Sequence, residues 1–308
     1  MSGTRPQGFL FALLAVTIWS GNFLIASGFV DYIPPVTLAA LRWLTATVVF
    51  LPFAMRDMQR DMRALLDNRL ELIAAVVTGV TLFNTLVYVS ARTTDAVNMA
   101  LFASTTPVFV VLLARILLKE RISLLRWTGL AVAIAGMLAI ATRGRRDVLV
   151  HLTFQSGDII MLVAGFLWAV YSILVKRKPP TISRNAYLGA VFLLGTIPLV
   201  PAALVEQHFA PAWALTPAVF GAVLYTGVLA SLAAFFLWNS AIMHIGPGNA
   251  ALFQYFMPVF GGIGAWLLLG QPVTVVHGVG FVLIFSGVVM ATRPRCPGPD
   301  SPRKKVAF

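Results

Sequence analysis

Cysteine is all but missing from this chain. Among 308 residues only Cys296 carries a thiol, and it lies in the polar C-terminal stretch. Intrachain disulfides and cysteine-based metal sites are thereby excluded. Charge is scarce as well: 11% of residues are Asp, Glu, Lys or Arg, against about 25% in a soluble domain. The sequence has no phosphate loop, no HExxH pair, no nucleophile elbow and no cluster with metal-ligand spacing. An enzyme is therefore not expected, nor a cofactor or a bound metal. Acidic residues avoid the middle of every apolar run, since Glu71, Asp95, Glu120 and Asp158 all map to run ends. This removes the mid-membrane carboxylate relay of many proton antiporters. Proton coupling would have to use an end-placed carboxylate, His244 or a tyrosine network. Long polar linkers are lacking too, so no separate water-soluble domain is expected.

What remains is apolar. Hydrophobic residues make up 59% of the chain, and the mean hydropathy is +0.87. A single soluble core cannot hide that much apolar surface, so the lipid bilayer is the expected solvent. A crossing helix needs about 20 apolar residues. Ten segments qualify: 9–27, 34–55, 70–90, 96–114, 123–142, 157–175, 186–205, 217–240, 248–269 and 274–292. The first is long for the core of a signal peptide and reads as a retained helix.

The net charge of +12 does not point to nucleic acid, because the basic residues sit in short clusters between apolar runs. With the N-terminus inside, the inner segments hold Arg5, then Arg56, Arg60, Arg63 and Arg69, then Arg115, Lys119, Arg121 and Arg126. Lys176, Arg177, Lys178 and Arg184 follow, and finally Arg293, Arg295, Arg303, Lys304 and Lys305. The outer segments hold only Arg92, Arg143, Arg145 and Arg146. This asymmetry predicts a multi-pass protein of the bacterial inner (cell) membrane with both termini cytoplasmic. The Arg143–Arg146 cluster is a local violation, placed in the linker between two halves.

Those halves are related. Residues 98–136 and 249–287 align without gaps at an offset of 151: Asn98 with Asn249, Pro107 with Pro258, Gly129 with Gly280, Gly136 with Gly287. At an offset of 149, Gly8 matches Gly157, Trp19 matches Trp168 and Pro52 matches Pro201. Chance explains shared Leu and Phe, but not Pro, Asn, Trp and paired Gly in one register. Five helices per unit make equivalent helices cross in opposite directions. The expected fold is an all-α membrane protein of ten transmembrane helices in two inverted five-helix repeats, 9–142 and 157–292, followed by a polar cytoplasmic tail, 293–308.

Candidate site residues follow from polarity in apolar surroundings. Arg42 is the one full charge deep within a span. It either meets an anionic substrate group such as a carboxylate, or snorkels, or pairs with Asp31 or backbone carbonyls. Thr78, Thr81, Asn84, Thr85 and Tyr88 form one stripe on the third helix, which must face water or other helices. Trp19 and Asn22, Trp168 and Tyr171, Tyr225 and Asn239, and Gln254 and Tyr255 add aromatic and amide groups. Together they fit a pocket for a polar, partly apolar solute, with interhelical packing as the alternative reading for each. Pro107 and Pro258 are expected inside their helices, marking a gating hinge or an open helix end near the pathway, with a non-functional kink as the alternative. Gly129 and Gly136, like Gly280 and Gly287, are seven residues apart and share a helix face. They suit peripheral packing helices that buttress each half and offer a surface for a homodimer.

Several stretches resemble a known family. Trp19-Ser20-Gly21-Asn22-Phe23, the run PVTLAALR from Pro35 to Arg42, and PVFVVLLARILLKE from Pro107 to Glu120 followed by Gly129 and Gly136 are similar to the EamA-type drug/metabolite transporters. The resemblance covers nearly the whole chain in both halves. It departs at Gly270-Gln271-Pro272, where the family often carries Glu, so it extends no acidic role to that position. It implies a secondary transporter, an exporter of small organic metabolites such as amino acids or related amphiphiles, working by alternating access. The remaining alternatives are an intramembrane enzyme on a lipid-like substrate, which would need a His–carboxylate pair at one depth, and a structural or sensory protein with a sealed interior.

Overall fold

The computed structural model describes residues 5–29, 32–94, 99, 102–120, 122–150, 155–210, 212–269 and 274–293. Among them the regular structure is helical throughout. The helices are α1 (Arg5–Gly28), α2 (Pro35–Arg60), α3 (Met62–Asp67), α4 (Arg69–Ser90), α5 (Thr106–Leu117), α6 (Leu124–Ala141), α7 (Arg146–Val150), α8 (Ser156–Arg177), α9 (Arg184–Phe209), α10 (Pro217–Ile245), α11 (247–269) and α12 (Val275–Thr292). Seven of these, α2, α4, α6, α8, α9, α10 and α12, are long and apolar enough to cross a membrane.

Helix starts follow local chemistry. The hydroxyls of Ser123, Ser183 and Thr216 accept from the backbone N–H three residues on, at 3.2 to 3.3 Å. Each satisfies a donor that a helix leaves orphaned. Gly246, at φ +80°, ends α10 and Pro247 opens α11. Only glycine takes that left-handed turn without cost, and proline lacks the N–H that the first turn cannot use.

Polarity runs inside out relative to a soluble protein. On α2 the outward residues are Leu44, Val48 and Phe53, the last 73% exposed, while Arg42 and Thr47 are buried. Apolar surface facing outward with hydroxyls inward is what lipid requires. The buried hydroxyls of Thr78, Ser172, Thr196 and Thr226 donate to carbonyls four residues back, so none faces hydrocarbon unpaired.

Helices α2 and α9 pack antiparallel along their whole length. Asp61 accepts from the Ser183 N–H at 2.8 Å at one end, and Glu206 accepts from the Val36 and Thr37 N–H groups at 3.1 and 2.7 Å at the other. Between them the Thr47 and Thr196 hydroxyls meet at 2.9 Å. Carboxylates thus cap the helix N-termini at both ends, where the macrodipole favours negative charge. The Asp61 carboxyl is held well below the usual carboxylate range, first by the Arg60 hydrogen bond and then by Ser183.

Helices α6 and α12 also pair antiparallel, through glycine. A Cβ on Gly129 would lie 2.5 Å from the Gly287 carbonyl oxygen, and one on Gly136 would lie 2.7 Å from that of Gly280. The sequence-level expectation that these glycines buttress each half is corrected: they bring the two matched segments against each other. Their faces are consumed within one chain, so they offer no free surface to a second copy.

The contacts sort the loops onto two ends. At one end Gly8 meets His244 and Ile245, Glu71 pairs with Arg177 at 3.1 Å, and Glu120 approaches Gly246 and Gly248. This end gathers Arg60, Arg126, Lys176 and Lys178, and is termed the basic end. At the far end Thr94 donates to Asp158 at 2.5 Å. Helices α4 and α10 each open into a π-helical stretch, at Val77–Thr81 and Tyr225–Ala233. Both contain Thr-Gly-Val, at 78–80 and 226–228. Gly79 accepts the Tyr171 ring and Gly227 the Thr45 side chain. Wide turns of this kind recur at functional sites.

Candidate functional site

A cavity of about 310 Å³ opens between α1, α4, α5, α6, α8 and α11, at the low end for a small-molecule site. Six of the thirteen residues expected to line a pocket do so: Trp19, Asn22, Asn84, Trp168, Gln254 and Tyr255. Pro107 and Pro258 line it as well. They are not inside continuous α-helices as expected. Pro107 is the second residue of α5, after a turn at 104–105, and Pro258 is the second residue of the α-helical part of α11, after a 3₁₀ turn at Phe253–Phe256. Proline is tolerated there because its missing N–H falls in the first turn. Both matched segments therefore break beside the cavity.

The sequence reading missed much of the wall. Met99, Met137, Met161 and Met257 line it together with Phe83. Thioethers are polarisable and conform to irregular solutes, but a methionine in an apolar run gives no sequence signal. Met137 also brings α6 into the wall, although this helix was expected only to pack. Among the described residues no charged side chain lines the cavity.

Toward the basic end, aromatic rings form the floor. Trp19 and Trp168 meet edge to face at 5.2 Å, Trp238 lies 5.2 Å from Trp19, and Phe235 contacts Trp19, Trp168 and Trp43. Phe83 stacks on Trp168 at 4.5 Å. Such edge-to-face contacts add about 0.5–1.5 kcal/mol each beyond burial. Tyr171 and Asn239, expected in the pocket, lie behind this floor, where the Asn239 NH2 donates to the Tyr171 hydroxyl at 2.9 Å. Tyr225 also stays out of the wall and donates to the Ile18 carbonyl at 2.8 Å. Thr81 gives its hydroxyl to the Gly195 carbonyl on α9, an interhelical contact, and Thr85 gives its own to the Thr81 carbonyl one turn back on α4.

Arg42 lies behind the wall, with no exposed surface. Snorkelling is therefore excluded, and Asp31 lies outside the described residues. Its Nε donates to Ser231 Oγ at 2.5 Å, its Nη1 to Asn22 Oδ1 at 3.1 Å and to the Tyr88 hydroxyl at 2.7 Å, and its Nη2 to the Ala230 carbonyl at 3.3 Å. Tyr88 in turn donates to Asn22 Oδ1 at 3.0 Å. The guanidinium is also 5.3 Å from the Trp43 ring centroid. Among the described residues every hydrogen-bond partner is a neutral oxygen. Three further buried polar atoms in the cavity wall lack a partner: Asn84 Nδ2, Trp168 Nε1 and Gln254 Oε1. No group of three or more His, Cys, Asp or Glu among the described residues could hold a metal.

The model of the EamA-like transporter family matches twice, over residues 6–142 and 155–293. An uncharacterized transporter of Archaeoglobus fulgidus is 28% identical over 285 residues, 92% of this chain and 96% of that protein. A probable amino-acid metabolite efflux pump of Salmonella typhimurium is 25% identical over 92% of this chain and 94% of its own length. A probable terminal-alkyne amino-acid exporter of Streptantibioticus cattleyicolor is 28% identical over 70% of each. A solved crystal structure matches with a TM-score of 0.75 over 94% of this chain and 97% of that one, at 18% identity, a likeness of fold.

Proposed function

This chain belongs to the EamA-like transporter family, and from that premise we propose that it is a secondary transporter that exports small organic metabolites, such as amino acids or related amphiphiles, by alternating access. The halves 9–142 and 157–292 act as inverted five-helix repeats, giving ten crossings with both termini on the cytoplasmic side of a bacterial inner membrane. The two relatives named as an efflux pump and an exporter favour outward movement. The observation that carries the reading is the cavity itself. Its wall draws on both halves, it is closed toward the basic end by rings from both, and it is open enough to hold a solute.

Pairs of matched residues touching one another support the rocking motion. Trp19 meets Trp168, Thr47 meets Thr196, and the Tyr255 hydroxyl donates to the Ser104 carbonyl at 3.0 Å. Residues that meet their own counterparts lie on a pseudo-two-fold axis, about which two equivalent packings exchange with little change in contact. On this reading the chain sits with its cavity toward the outside and its aromatic floor toward the cytoplasm. The test is purified protein in liposomes loaded with a panel of amino acids, carboxylates, amides and organic cations, under imposed proton and solute gradients. Movement of one class above protein-free liposomes is expected. Impermeability to the whole panel under every gradient would remove the proposal.

A further inference from the structure

The cavity is lined by amide and indole side chains and is backed by a positive charge that no carboxylate among the described residues neutralises. Asn22 joins the two. Its carbonyl oxygen accepts from Arg42 and from Tyr88, which leaves its NH2 on the other side of the amide, and the residue lines the cavity. A guanidinium drawing on the carbonyl polarises the amide and makes its N–H groups stronger donors on the other side. Asn84, one turn before Tyr88 on α4, and Trp168 line the same cavity, and each carries an enclosed side-chain nitrogen without a partner. Against these stands one orphaned acceptor, Gln254 Oε1. Among the described residues no carboxylate lines the cavity. A buried full charge met only by neutral oxygens is costly in this medium, and an anion arriving within reach lowers that cost.

We propose that the site selects solutes bearing a carboxylate on an apolar body. The carboxylate seats against the Asn22 amide with Arg42 behind it as fixed counter-charge, and the body lies among the Trp19 and Trp168 rings and the four methionines. Within the transport reading, on which this rests, Arg42 and Asn22 are specificity determinants. Neutral isosteres such as the primary amide lose the charge term. Organic cations that lack a carboxylate find no partner for their charge among the described lining residues.

The test measures uptake and tryptophan quenching in liposomes for matched sets: an aryl or alkyl carboxylic acid, its amide, its α-amino derivative and its quaternary ammonium analogue. The wild type should favour the acid over its amide by about tenfold or more, the difference expected for a hydrogen bond to a charged group. Asn22→Asp places a carboxylate beside Arg42, which keeps the cluster bonded and the fold intact. It should erase the preference for the acid over the amide. Arg42→Gln should do the same where it folds. Solute movement with equal rates for acid and amide, or a preference that survives Asn22→Asp, overturns this inference and leaves the transporter reading standing. No movement of any member of the set overturns both.

Discussion

The surroundings of Arg42 and the matching place in the second half make an instructive pair. At the offset of 149 that relates Trp19 to Trp168, Arg42 corresponds to Val191 and Asn22 to Tyr171. The Thr-Gly-Val offset pairs Tyr88 with Phe236 in the same way. One place holds a guanidinium, an amide and a phenol in a closed hydrogen-bond set. The other holds an aliphatic and aromatic patch, with Val191 and Tyr171 fully buried among Phe192 and Phe235. Backbone pairing is shared by the halves but side-chain chemistry is not. Under the function proposed above, the similar frames serve the rocking, the polar place recognises the solute and the apolar place seals.

The difference can be attacked directly. Truncating the floor should cost most. Trp168→Ala removes contacts to Trp19, Phe83 and Phe235 and should destabilise by about 3–5 kcal/mol, with dye leakage through liposomes as the functional sign. Tight liposomes would mean that the rings are not the seal. Next comes the polar cluster itself. Arg42→Met strands the oxygens of Asn22, Tyr88, Ser231 and Ala230, for a loss of about 3 kcal/mol, whereas Val191→Ala at the matching place should cost about 2 kcal/mol. Thermal unfolding in one detergent compares them, and equal losses would deny the cluster its special worth.

At the shared seam, Gly136→Ala drives a methyl toward the Gly280 carbonyl and should cost about 1–3 kcal/mol. Gly221→Ala on α10, where a Cβ meets nothing within 4 Å, is the neutral control for the same melting experiment. Thr47→Val removes the hydroxyl pair on the axis and should lower stability by only about 0.6 kcal/mol, the average for such bonds in membranes, with Thr196→Val matching it. The smallest effect is at the basic end. Because the folded Asp61 carboxyl titrates below its ordinary value, its stabilisation is fully present above about pH 4 and fades as the pH falls further. Asp61→Asn should abolish that acid-side drift in melting temperature. A drift that persists unchanged in the variant would assign it to another group.

Much of this was legible beforehand. Apolar runs of crossing length marked the helices that form, because burial in lipid depends on composition more than on partners. The doubled Pro, Gly and Trp positions announced related halves, since those side chains have narrow structural uses. The site was less readable. Thr81, Thr85, Tyr171, Tyr225 and Asn239 look like pocket residues in a polar stripe, yet their polar groups pair with backbone or with each other. Met99, Met137, Met161 and Met257 look like packing and prove to be wall. Periodicity reports which face of a helix avoids lipid, and a cavity and a helix neighbour satisfy that condition equally.

From composition and repetition came the solvent, the helical class and the doubled organisation, and from the quoted motifs the family resemblance, because each depends on local or summed properties of residues. Three-dimensional packing was needed for the rest. It showed that the glycine pairs join the halves, that the matched prolines open helices after breaks, and that Arg42 is enclosed by neutral oxygens drawn from α1, α4 and α10. Those facts depend on which side chains meet across separations of 20 to 189 residues, and a hydrogen bond or a void exists only once both of its sides are in place.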